Sequence, residues 1–278
     1  MESFNPVLDL SRPFLPEALA GLASVRALDG DDRRRMNQIH ASSYLHIFDV
    51  LETCIGDAAH AQAARDEAAR DALVPLLRLG TFDHDELFHA FERAFEDAFP
   101  VAPRLVGRPV DLDAMLDAAE PLSLLVLALH LKLVTQQHYL ACVRGAEGLE
   151  PSFVRVLKDH WCMECAARDA TTDLQHAITH TARGRVPAAM RDYEELVFGA
   201  DDMLRCQCEL DVETLEACRG ADLSPVDREA VLDAQLAAHR KTFLSLGIVN
   251  AGFLYAIRSL GPAAPATLAG IVRRLRAA

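Results

Sequence analysis

Residues 121–144, PLSLLVLALHLKLVTQQHYLACVR, decide how the rest of the chain is read. The stretch opens with a proline, which suits the first turn of a helix, and continues apolar on nearly every face, so a helix here must be enclosed by other elements. Its most apolar part, Leu122 to Leu133, is interrupted by His130 and Lys132, well short of the roughly 20 residues a bilayer crossing needs. The stretch therefore predicts the innermost helix of a packed core. Burying Lys132 there without a partner would cost several kcal/mol or force the amine neutral.

Outward from this helix, breakers at Pro13/Pro16, Gly56, Gly80, Pro100 to Pro109, Gly145 to Pro151, Gly184 to Pro187, Gly220 to Pro225 and Gly261 to Pro265 separate long stretches of helical periodicity. The spacing predicts a short helix near 16–28 and longer ones over 31–57, 63–99 with a kink at Pro75, 121–144, 151–182, 186–218 and 225–246, then one or two terminal helices. Alternating β-branched runs are missing. The fold class is all-α: a single domain over 1–278, with core helices over roughly 31–182 and accessory helices over roughly 186–277. The connection between 100 and 120 suits a four-helix bundle with one long crossover.

With 278 residues, 51% of them hydrophobic, the chain can bury a large core, which excludes disorder. Its balance of 28 basic against 41 acidic residues gives −13, and Arg33-Arg34-Arg35 is compensated by Asp31-Asp32. No nucleic-acid or membrane partner is expected. An odd set of seven cysteines and an N-terminus, MESFNPVLDLSRP, without a signal-peptide core predict a cytoplasmic protein with reduced thiols. Cys162-x-x-Cys165 and Cys206-x-Cys208 are expected to be buried and inert, since a zinc site would need two further ligands. His60, His176, His180 and His239 are expected at the surface or at helix ends. Phosphate-loop, Gly-x-Ser-x-Gly and Cys-x-x-Cys-His motifs are missing.

Helical spacing then sorts the polar residues. Over 31–57 the strip Leu45, Phe48, Glu52, Ile55 places a carboxylate among apolar neighbours. Over 63–99 the strip Val74, Leu77, Phe88, Phe91, Phe95, Phe99 is completed by Thr81 and His84. The metal-like pair Glu86-x-x-His89 falls nearer the face of Arg93 and Glu96. Over 151–182 the strip is Leu157, Trp161, Glu164, Arg168, with His160 and Ala167 on its edges. Together with Lys132 and Gln136, these residues predict a polar cavity between helices.

The segments SSYLHIFDVLETCI (42–55), ELFHAFERAF (86–95), TQQHYLACV (135–143), KDHWCMECAARDATTD (158–173) and CELDVETLEACRG (208–220) carry a resemblance to the ferritin-like superfamily of di-iron carboxylate proteins. The likeness is nearest to a bacterial subgroup and covers about residues 31 to 255. That family uses a Glu from each of two helices and a Glu-x-x-His from each of the other two. Carried over residue by residue, the resemblance implies metal ligands at Glu52, His84 and Glu164, with Thr81, Lys132 and Ala167 at lost ligand positions. It implies a non-haem iron oxidoreductase activating dioxygen for a small organic substrate, with iron as a mono- or dinuclear cofactor and Glu52, His84, Lys132 and Glu164 as catalytic candidates.

Lys132 opens an alternative: an ammonium between Glu52 and Glu164 neutralises them as a cation would. The chain is then a metal-free pseudoenzyme, serving as a ligand-binding or partner subunit in a homodimer or a heterodimer with a homologue. Were Glu86 and His89 to face inward, Glu52, Glu86, His89 and Glu164 would form a fuller metal site. A purely structural interaction module is a third reading, and it requires an apolar exposed helix face.

Overall fold

The computed structural model describes residues 6–79, 85–181 and 183–277. Among them the chain is helical, with no strand. A short α1 (Glu17–Ala20) precedes α2 (Gly30–Arg65), whose N-cap Asp29 accepts the amide of Asp32 at 2.8 Å. Gly56, expected to end this helix, is absorbed within it, and the helix stops instead at Asp66. The extended backbone of that residue (φ −140°, ψ 124°) closes α2, and its carboxylate caps α3 (Glu67–Leu77).

The helix expected over 63–99 is thus two elements, α3 and α4 (Asp85–Ala98). Pro75 sits in the last turn of α3, which ends two residues later at Leu77. Thr81 and His84 lie outside the described residues. The 100–120 connection contains its own helix, α5 (Val110–Ala118).

The opening stretch forms α6 (Pro121–His138), continued by a π-turn over Tyr139–Val143. The helix expected over 151–182 is divided at Ala167, whose ψ of 15° ends α7 (Pro151–Ala166) before α8 (Arg168–Thr179) begins. A 3-10 turn (Arg183–Arg185) leads into α9 (Val186–Arg219), which ends on Gly220 in the left-handed conformation (φ 67°). Next come α10 (Pro225–His239), a second π-turn (Arg240–Ser245), α11 (Leu246–Ile248), α12 (Ala251–Ser259) and α13 (Ala263–Ala277).

Packing follows the expected burial of α6. This helix touches α2, α3, α7, α8 and α9, while α2 also packs on α5 and α9, and α9 on α10 and α13. One continuous apolar core runs from Phe14 to Leu275. The segment before α1 is locked down by Asn37, which accepts the amides of Phe14 and Leu15 at 2.7 and 2.9 Å and donates to the carbonyl of Leu15 at 2.7 Å. Phe14 then stacks on Phe153 at 5.6 Å and meets Phe91 and Phe95 edge-on. These contacts fasten α2, α4 and α7 around the centre of the bundle.

Among the described residues no helix is long and apolar enough to cross a membrane. The exposed large apolar residues Val7, Val110, Leu140, Val226, Val249 and Tyr255 sit on separate segments.

Candidate functional site

Three ionisable side chains meet inside the bundle. Glu52 from α2, Lys132 from α6 and Glu164 from α7 are each 2% exposed. The Lys132 ammonium lies 2.7 Å from Glu164 Oε1 and 3.4 Å from Glu52 Oε1. Thr135, one turn along α6, donates its hydroxyl to Glu164 Oε2 at 3.0 Å, so both oxygens of that carboxylate are engaged. This bonding is what lets charges survive in a medium of low polarity.

Two imidazoles enclose the triad. His160, four residues before Glu164 on α7, is fully buried and edges against Phe48, Phe88 and His138. A ligand atom of His160 lies within 4.8 Å of ligand atoms of Glu52 and Glu164. His138, at the end of α6, makes a short hydrogen bond through Nδ1 with the Tyr44 hydroxyl. Burial pushes His138 down to about 3, against a smaller upward pull from Glu52, so this ring is neutral at pH 7.

The inward face of α7 lies one residue away from the strip that helical spacing predicts. His160 faces the interior with Leu157 and Glu164, whereas Trp161 is half-buried, donating its indole N–H to the carbonyl of Gln136 at 3.1 Å. Ala167, where the resemblance implies an imidazole in the family, is at the break between α7 and α8. Glu86 and His89 are exposed on α4, away from the triad. Of the cysteines expected to be buried, Cys162, Cys165 and Cys206 are exposed and Cys208 is buried, because the inward turn of His160 and Glu164 carries the two α7 thiols outward. His239, expected at the surface or at a helix end, closes α10 but is fully buried; His60, His176 and His180 are exposed.

Whether this centre suits a di-iron cofactor can be tested on its donors. The described residues bring together two carboxylates and one imidazole, half the six ligands of the family pattern. An ammonium is bonded to both carboxylates. A dinuclear ion pair does not fit that arrangement. Compared with known protein families, curated proteins and solved structures, the chain has no significant match to any of them.

Proposed function

We propose that the chain is a metal-independent relative of the ferritin-like di-iron carboxylate proteins, acting as a ligand-binding or partner subunit in which Lys132 takes the role of the cation. The observation that carries this reading is the buried Lys132 ammonium bridging Glu52 and Glu164 at 3.4 and 2.7 Å. Two carboxylates facing each other would repel and draw in a metal ion or protons. With the ammonium between them, the need for an external cation is largely met. The occupant bound elsewhere on the bundle is a small organic molecule or a homologous chain.

The test is metal analysis of the purified protein beside its Lys132→Glu variant, both carrying His239→Gln to silence the separate cluster described below. The expected result is no stoichiometric iron in the parent and acquired iron or zinc binding in the Lys132→Glu protein. Two tightly held irons per chain in the parent would overturn the reading.

A second reading is favoured by the convergence of Glu52, His160 and Glu164, since carboxylate and imidazole are both donors that iron takes, here in the reverse ratio of the two-histidine, one-carboxylate set of mononuclear non-haem iron sites. These residues would then hold a single ion whose chemistry is dioxygen activation. Its mark would be one iron per chain, lost in Glu164→Gln, with an optical spectrum that changes on admitting air.

A further inference from the structure

A second buried cluster joins α2, α9 and the end of α10. His40 is 1% exposed, and Asp211 and His239 are fully buried. One ligand atom from each lies within 4.8 Å of the other two. The imidazoles of His40 and His239 stack at 4.1 Å with only 11° between their planes, so one ring must turn about its side-chain bonds for both to meet a single ion in their own planes.

Each oxygen of the carboxylate accepts one hydrogen bond. Asp211 accepts the Ser43 hydroxyl at 2.8 Å and the Gln207 amide at 2.7 Å. Gln207 is fixed in turn by the amide of Val106 and the carbonyl of Arg104. His40 Nδ1 meets the Gln235 side-chain amide at 2.9 Å, which leaves Nε2 for another partner. His239 has no hydrogen-bond partner on either nitrogen among the described residues, and Gln235 Oε1 has none either. Unmade bonds on a wholly buried ring are costly and need an explanation. Arg240, the next residue, does not serve Asp211: it forms a two-pronged pair with Asp201 at 2.6 and 2.7 Å. The π-turn over Arg240–Ser245 begins directly after His239, and such turns gather at functional sites.

We propose that His40, Asp211 and His239 bind one divalent transition-metal cation of the zinc or ferrous class, tying α2, α9 and α10 together. Two imidazole nitrogens and one carboxylate oxygen suit that class of ion better than magnesium or calcium, which take oxygen alone. The hydrogen bonds on Asp211 are the outer-shell contacts that orient a metal-binding carboxylate. Coordination gives His239 the partner it lacks and places a positive charge beside Asp211. It also selects the Nδ1-protonated tautomer of His40, whose N–H the Gln235 side chain accepts when its amide is turned to present Oε1.

The test uses the full chain, stripped with a chelator and refolded with and without Co²⁺ as a spectroscopic probe. One equivalent of cobalt with visible d–d absorption is expected. Binding should weaken at least 100-fold in His239→Gln and Asp211→Asn and persist in Glu52→Gln. The unfolding midpoint should rise by about 5 °C at cobalt concentrations 100-fold above Kd. X-ray absorption on the unmutated protein, which no folding defect can confuse, should count two imidazoles on the metal. No uptake, fewer than two imidazoles, or loss of binding in Glu52→Gln but not in His239→Gln would overturn the proposal.

Discussion

The two buried polar clusters answer the same physical problem differently. At Glu52, Lys132 and Glu164 the chain supplies both signs of charge, and the Glu164 carboxylate is engaged on both oxygens. At His40, Asp211 and His239 it supplies a carboxylate and two imidazoles without an ammonium or guanidinium bonded to them, and His239 is left unbonded. The difference teaches that buried charge by itself says little about a site. What distinguishes the clusters is whether the protein completes the set from its own side chains.

The comparison can be broken most forcefully by Lys132→Met, which turns the first cluster into an uncompensated one. A loss of about 3–5 kcal/mol in unfolding free energy is expected from leaving two buried carboxylates without the ammonium. Denaturant titration measures it, and divalent cation added to the variant should return part of the loss. An unchanged midpoint would mean that the ammonium is dispensable.

Acid is the next largest perturbation. Burial depresses His40 and His138 to about 3 and His130 to about 4, below the unfolded value of 6.5. Their stabilising effect is therefore full above pH 6.5 and is lost as pH falls toward the folded values, at roughly 2 kcal/mol each by pH 5. Asp211, raised by burial to about 8, has the opposite sign: its contribution is fullest at low pH and fades as pH rises through 8, so it offsets about one histidine's share. A net loss of about 4 kcal/mol or more between pH 7 and pH 5, with His239 lowered by burial adding to it in the same direction, should appear in denaturant curves taken across that range.

Asp211→Asn sharpens the contrast from the other side. Without metal it should change stability by less than about 1 kcal/mol, because burial already keeps this carboxyl largely protonated at pH 7 and the amide can keep one of its two bonds. A loss as large as that of Lys132→Met would show that Asp211 is ionised and compensated. Smallest of all, Glu86→Ala with His89→Ala should stay within about 0.5 kcal/mol and leave metal content unchanged, since both residues are exposed. A larger effect would give α4 a role in the site.

Much of the first cluster was legible before any coordinates. Glu52 and Glu164 each stand on an apolar strip of a long helix, and Lys132 lies in a helix apolar on nearly every face, so all three are read as inward. His160 was harder to read because the periodicity appeared to continue through Ala167 to Arg168, and that false continuation drew the inward face of α7 toward Trp161. The break at Ala167 leaves no proline or glycine in the sequence to mark it. His138 could have been found: Lys132, Thr135 and His138 recur every three residues along α6.

The second cluster was hidden for a different reason. His40, Asp211 and His239 are far apart in the chain, and no local pattern joins them. His239 also precedes a π-turn, where the 3.6-residue count no longer tells which way a side chain points. The all-helical class and the central position of α6 followed from composition and apolar runs. The expected 63–99 helix divides between Leu77 and Asp85, while its start depends on the aspartate cap at Asp66, which spacing does not weigh.

The lysine at the heart of the bundle has one more consequence. A counter-ion attached through its own backbone has no dissociation constant, so it cannot be washed out by dialysis, stripped by a chelator or withheld when nutrient iron runs short. It is delivered by the ribosome in fixed ratio with the acids it serves, and the centre of α6 is complete as soon as the helices close around it.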